Sequence, residues 1–384
     1  MPSSRKHPSK AAAQLDIEAG AIAPEKLKAE FPTLRLPVTP PFPPMEAKSV
    51  PSIPVGEEWQ YEPKWDGFRC LAFRDGNKVA LQSKSGQPLG RYFPELTQMF
   101  LELTPTQFVL DGEIIIEREG RLSFDDLLMR IHPAESRIRR LSQEAPATFL
   151  AFDLLVDAQN ISLLERSLKR RRNKLEGFLK FAIPMKNTRL RDRIQLSPAT
   201  TSYATATAWM RDLAGAGFDG VVAKLLNEPY HSSDRAAMQK IKRAKTADCV
   251  VGGFRWAAKG GQVGSLLLGL YDDDGLLHHV GFTSGFRADE RQELKLILKP
   301  YMGGSGFTGR APGGPSRWST ARSGEWERLD PKLVCEVQYD HFSGDRFRHG
   351  ARFLRWRPDK APAKCAFDQV RIAPANFTEV MKAA

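Results

Sequence analysis

The runs FRCLAFR (68–74) and KVALQSK (78–84) flank Asp75-Gly76-Asn77, and this pairing limits the fold more than any other feature of the chain. Two apolar segments joined by a turn whose glycine takes a positive φ without steric cost form an antiparallel hairpin. The pattern recurs. FVLDGEIII (108–116) and RLSF (121–124) bracket EREG as another candidate hairpin. Helices intervene: SFDDLLMRIH opens on Ser123 as a cap, and SLLERSLKRRRNKLEGFL carries leucines at helical spacing under a basic face. TSYATATAWMRDLAGAG closes on glycines that suit a C-cap. The basic run Lys169 to Arg172 reads as a solvated helix face.

A second β-rich series begins with ADCVVGGFRW. It holds a hairpin around Asp274-Gly275, a helix near ERQELKLILKPYM and a strand in KLVCEVQYDHF. Short strands with one helix fit a small Greek-key barrel such as an OB-fold. Residues 303–316, rich in glycine, read as a long surface loop within it. At 384 residues the chain is long enough for two cores. The sequence therefore divides into a basic, proline-rich tail and linker (1–45) without a packing face, an α+β domain (46–247), a β-barrel domain (248–375) and a short C-terminal tail (376–384).

Charge narrows the partners. Lys and Arg outnumber Asp and Glu by 57 to 45, a net +12, which favours a polyanion such as nucleic acid. The longest apolar runs fall far short of the roughly 18 residues of a spanning helix, and no apolar run follows the basic start, so an intracellular, cytoplasmic protein without membrane attachment is expected. Cys70, Cys249, Cys335 and Cys365 are isolated singletons, read as buried thiols rather than a zinc site or disulfide framework.

Chemistry concentrates at YEPKWDGFR (61–69), where Lys64 stands in an apolar strand context. A lysine becomes a nucleophile only when neutral, and burial, neighbouring cations or a metal can lower its pKa to allow this. Pro63 and Trp65 offer desolvation, Asp66 could orient the amine, and Gly67 permits a sharp turn and close approach to a ligand. The bland alternative is an Asp-Gly turn with Lys64 in solvent. Further groups follow in order: SKSG with Lys84, LDGEI with Glu113, FLAFDLL with Phe152, FDGVVAK with Asp219 and Lys224, and MQKIKR. Lys240 and Lys242 are two apart and share one face of a strand.

These motifs, with RFRHGARFLRWRPDK near the end, resemble those of the covalent nucleotidyltransferases, and specifically the ATP-dependent DNA ligases of the bacterial ligase C type. The resemblance runs from about residue 40 to 375. It implies an adenylation domain followed by an OB-fold domain, and sealing of 5′-phosphate/3′-hydroxyl nicks in duplex DNA through lysine adenylation, AMP transfer to the 5′-phosphate and attack by the 3′-hydroxyl. Closure of the second domain on ATP and reopening for DNA would gate this cycle.

The implied roles fall on particular residues. Lys64 would carry AMP; Glu62 would read the adenine amino group; Arg69 would contact the nucleotide or the 5′-phosphate. Glu113 would hold the ribose or a metal, Phe152 would stack on adenine, and Lys240 and Lys242 would neutralise the α-phosphate. Lys84 and Lys224 would join the nucleotide site, Asp219 would sit near magnesium or manganese, and Arg352, Arg357, Asp359 and Lys360 would engage the triphosphate. Bacterial repair polymerases would be partners, and a monomer suffices.

Three positions depart from the family pattern. Asp219 replaces the usual glutamate and is shorter by roughly 1.5 Å, Lys84 replaces a common arginine, and Ala351 replaces a frequent proline. The residues before the core are too few and too proline-rich for the helical DNA-binding domain of larger ligases, so steeply salt-dependent binding is expected. An NAD-dependent ligase is disfavoured by the scattered cysteines. An RNA ligase, a capping guanylyltransferase and a catalytically dead nucleic-acid-binding module are the alternatives, separated by which nucleotide, if any, labels Lys64.

Overall fold

The computed structural model describes residues 31–212, 218–243, 245–257, 261–313 and 325–371, with Phe377 and Met381. The first 30 residues, the glycines after Asp212 and the later part of the glycine-rich loop lie outside the described residues. The chain forms two compact units, one of Met1–Lys242 with Pro374–Ala384 and one of Arg243–Ala373, so the boundary falls a few residues before Ala247.

Among the described residues the first unit contains two main sheets and one two-stranded ribbon. Its strands are β1 (Lys48–Ser49), β2 (Trp59–Trp65), β3 (Phe68–Asp75), β4 (Lys78–Ser83), β5 (Gln107–Ile115), β6 (Glu117–Arg118), β7 (Arg121–Leu122), β8 (Thr148–Val156), β9 (Ile194–Leu196), β10 (Phe218–Leu225) and β11 (Met238–Lys242). Among them run helices α1 (Pro94–Glu102), α2 (Phe124–Arg130), α3 (Glu135–Glu144), α4 (Leu168–Ala182), α5 (Thr188–Arg193) and α6 (Tyr203–Asp212). The smaller sheet has the order β1-β11-β10-β2, the larger β4-β3-β5-β8-β9.

Alternation of side chains fixes what each face does. On the smaller sheet Trp59, Tyr61, Val221, Ala223 and Ile241 pack against Ala206 and Trp209 of α6. The opposite face therefore carries Glu62, Lys64, Val222, Lys224, Met238 and Lys240, which line a cleft. β2 is an edge strand, which is why Pro63 fits it without interrupting a ladder on both sides. On the larger sheet Cys70, Ala72, Leu110 and Leu154 face the core with Phe100 of α1 and Leu175 of α4. Leu71, Phe73, Val109 and Leu155 face the other way.

That second face overturns one expectation. The proline-rich approach does have a packing face: Leu34, Leu36, Val38 and Met45 are buried against Leu71, Phe73 and Tyr230, each such side chain contributing about 1.5–3 kcal/mol. Backbone donors find partners as well, with Arg35 N–H on Asp75 at 2.6 Å and Phe42 N–H on the Gln82 carbonyl at 2.8 Å. Extended backbone needs no helical periodicity to bury every second side chain.

The hairpin at Gly76 forms as read, with φ +59°. Ser123 caps α2, its hydroxyl accepting from Asp126 N–H at 3.3 Å. The hairpin expected between FVLDGEIII and RLSF is reduced to β6 and β7, because β5 pairs instead with β3 and β8. The basic run on α4 is only partly solvated: Arg171 and Arg172 are buried, Arg171 against Asp153 at 2.8 and 3.0 Å. Phe377, which the sequence reading placed in the C-terminal tail, packs on Trp65 within the first unit.

The second unit holds β12 (Lys245–Trp256), β13 (Val263–Tyr271), β14 (Leu277–Ser284), α7 (Ala288–Leu298), β15 (Glu327–Arg328), β16 (Val334–Tyr339), β17 (Phe342–Ser343), β18 (Arg346–Phe347) and β19 (Arg352–Trp356). The main sheet runs β14-β13-β12-β16-β19 with β15 also on β12, and its edges approach through a bridge between Thr283 and Ala351. Among the described residues the barrel is not fully closed, as in partly open OB-folds. Ala351 N–H donates to the Phe282 carbonyl at 2.8 Å. A proline there could not make this bond, which accounts for alanine at that position. All four cysteines are buried free thiols.

Candidate active site

Lys64 sits near the end of β2, opposite Gly220 of β10. The ladder slips between Phe218 and Gly220. Such a bulge leaves one residue unpaired and re-aims its side chain. That residue is Asp219, whose Oδ2 accepts from Lys64 Nζ at 3.1 Å. Gly220 makes the bulge possible: its φ is +149°, and a Cβ there would collide with the Ile241 carbonyl oxygen. Gly67 serves the opposite wall, since a Cβ would meet the Ile114 carbonyl and Glu113 Cγ. Asp66 adds its charge near Lys64, and Asp219 accepts a hydrogen bond from the amine.

The electrostatics of the amine oppose one another. Burial acts to lower the Lys64 pKa, but Asp219, helped by Asp66 and Glu113, outweighs it and the net direction is upward. Burial pushes the Glu113 carboxyl up to about 8 against the pull of Lys64 and Arg69. Lys240 is held below its ordinary value by burial and by the like charges of Lys84, Lys64 and Lys242. Lys84 itself is largely exposed, 3.8 Å from Glu46, and Lys242 is exposed at the end of β11.

Phe152 of β8 lies in the cleft between two cations, Lys224 Nζ at 4.4 Å and the Arg69 guanidinium at 5.6 Å from its ring centre. Lys224 in turn donates to Glu62 at 2.7 Å, and both side chains are almost wholly buried. Gln60 donates to the other Glu62 oxygen at 2.8 Å. Glu62 is thus held in place before any ligand meets it. Removing one partner of such a buried pair typically costs about 3–5 kcal/mol.

Arg69 lines the cleft and is anchored there by its neighbours. Its guanidinium grips Asp111 at 3.1 and 2.7 Å and donates to the Met45 carbonyl at 2.6 Å. Asp111 outweighs burial and keeps this arginine firmly charged. Tyr230 donates to the same carboxylate at 2.7 Å and accepts from Met45 N–H at 3.0 Å. Arg69 is thereby fixed in place beside Phe152. Neither Asp111 nor Tyr230 was singled out by sequence. The only signal was a second carboxylate two residues from Glu113, on the same strand face.

The cleft, of about 140 Å³, brings together Glu62, Lys64, Arg69, Glu113, Phe152, Lys224 and Lys240, with Ala47, Val222 and Met238 as apolar lining. Arg352, Arg357, Asp359 and Lys360 belong to the second unit. Arg352 is exposed on β19. Arg357 binds Asp248 at 2.8 Å and Asp359 at 2.8 Å, and Lys360 lies 3.4 Å from Asp248. Hydrogen bonding from Arg357 holds Asp359 down at about 2.

A two-sheet cleft with a lysine at one edge, followed by a small β-barrel unit, defines a polynucleotide-ligase architecture. Family models for the ATP dependent DNA ligase domain and the ATP dependent DNA ligase C terminal region match residues 44–242 and 259–360. The chain is 43% identical over 352 residues to DNA ligase C1 of Mycolicibacterium smegmatis, covering 89% of this chain and 97% of that one. It is 42% identical over 350 residues to DNA ligase C of Mycobacterium tuberculosis, covering 88% and 96%. A solved Lig E DNA ligase, at 18% identity and TM-score 0.50 over 82% of this chain and 99% of that chain, shares the fold. The chain belongs to the ATP-dependent DNA ligases, and within them to the bacterial ligase C type. Its activity is ATP-dependent sealing of nicked DNA. Among the described residues no helix is long and apolar enough to cross a membrane.

Proposed function

We propose that Lys64 is the nucleophile adenylated by ATP. Its neutral Nζ bonds to the α-phosphorus as the bond from that phosphorus to the bridging oxygen breaks, and pyrophosphate leaves with the electron pair. The observation that carries this reading is the Lys64–Asp219 contact of 3.1 Å at the lip of a cleft walled by cations and the aromatic residues Trp65 and Phe152. Asp219 is the base within reach of the amine proton. Lys240, with Lys84 and Lys242 nearby, offsets charge on the α-phosphate. Phe152 presents its face to adenine, and Glu62, fixed by Lys224, presents its carboxylate to the base edge.

Glu113 and Asp219 fit a magnesium or manganese ion: both are hard oxygen donors, and the buried Glu113 carboxyl, pushed up to about 8, is one a cation would stabilise as its anion. Bound there, the ion would supply Lewis-acid stabilisation of the reacting phosphate. Arg352 is the exposed basic member of the terminal motif available to a triphosphate, with Arg357 ordered by Asp248 and Asp359. The substrate is a 5′-phosphate/3′-hydroxyl nick in duplex DNA, handled by a cytoplasmic monomer in DNA repair; repair polymerases as partners rest on the ligase C resemblance.

The test is covalent labelling. With magnesium and α-labelled ATP, GTP or NAD, the denatured protein should carry label from ATP alone, and Lys64→Ala should carry none. Undiminished labelling of Lys64→Ala would overturn the assignment.

A further inference from the structure

We propose that Phe377 is a positioning residue for the lysine adenylation step, an inference that rests on Lys64 being the nucleophile. Phe377 follows the second unit in sequence yet belongs to the first. Its side chain is buried in a small cluster with Trp65, Ile115, Leu150 and Phe218, and Met381 packs against the same cluster. The Phe377 ring meets Trp65 edge to face at 5.7 Å between centroids, and its N–H donates to the Gly120 carbonyl at 2.7 Å.

The location of this cluster gives it a role in the chemistry. Trp65 and Phe218 are direct partners across β2 and β10, with ring centroids 4.7 Å apart. They are also the immediate chain neighbours of Lys64 and Asp219. The two aromatic rings thus fasten the ladder on the far side of the bulge that aims Asp219 at the amine. Trp65 is held on a second side by its indole N–H, which donates to Ser197 Oγ at 2.9 Å. Phe377 supplies a further wall. Without it, Trp65 and the strand end gain freedom, and the amine loses its fixed approach to the α-phosphate.

The experiment compares wild type, Phe377→Ala, Phe377→Leu and Lys64→Ala in single-turnover labelling with α-labelled ATP. It also follows closure of a nick already carrying 5′-AMP, which needs no lysine nucleophile. A misplacement of about 1 Å costs on the order of 10²-fold, so Phe377→Ala should slow adduct formation roughly 10- to 100-fold at saturating ATP, with KM changed by less than about threefold. Closure of the adenylated nick should persist, and Phe377→Leu should recover most of the rate. An unchanged labelling rate in Phe377→Ala, or an equal loss in both reactions, would overturn the proposal. Labelling of Lys64→Ala would instead remove the nucleophile assignment beneath it.

Discussion

Asp219 and Lys64 stand 155 positions apart in sequence and 3.1 Å apart in space. Each changes the other's chemistry. The reactive amine is the deprotonated one, and a raised Lys64 pKa makes that fraction small at neutral pH and larger as pH rises. Asp219→Asn removes the strongest upward influence and leaves burial, which acts downward, opposed only by the weaker pulls of Asp66 and Glu113. The pH of half-maximal labelling should therefore move to lower values, while the maximal rate falls by about 10²–10⁴ through loss of the base. A pH series of single-turnover labelling checks both; an unmoved or alkaline-shifted midpoint would disconnect Asp219 from the titration of Lys64. At this scale the sequence named Lys64, Glu113, Phe152 and Lys224, because a charged or aromatic residue in an apolar strand is visible in one dimension. It missed Asp111 and Tyr230, which meet Arg69 only in the folded chain.

Elements explain why the pair meets at all. Alternation on β11 was enough to foresee that Lys240 and Lys242 share a face, and the Asp75-Gly76-Asn77 turn fixed the β3–β4 hairpin. The bulge at Asp219 was not foreseeable, because a period-2 pattern does not say which strand will pair with it or where a residue is left out of register. Gly220→Ala tests the bulge directly. Its Cβ has no room beside the Ile241 carbonyl and its φ is positive, so the variant should lose about 1–3 kcal/mol. Thermal unfolding should show the lowered midpoint, and labelling should slow because Asp219 shifts with the backbone. A variant with wild-type melting and labelling would mean that the ladder relaxes freely there.

Across the whole molecule the net charge of +12 governs the encounter with DNA. Phosphate neutralisation releases counterions, so nick affinity should fall at least tenfold between about 50 and 200 mM salt. Titration of a labelled nicked duplex at several salt concentrations measures the slope, and near-constant affinity would show that contacts other than phosphate neutralisation dominate. Two chain segments also change meaning at this scale. The approach through Leu34, Leu36 and Val38 and the residue Phe377 become parts of the first unit's packing.

The sequence by itself determined local matters: the turns, the alternating faces, the helix cap at Ser123, the buried thiols and the order of the ligase motifs. Tertiary structure alone decided which carboxylate meets Lys64, that Arg69 is held by Asp111, and that Phe377 returns to pack beside Trp65. The physical reason is that local conformation follows from each residue and its neighbours in the chain. Contacts between distant residues depend on strand pairing, register and shared burial, which many pairings of the same local pattern could satisfy.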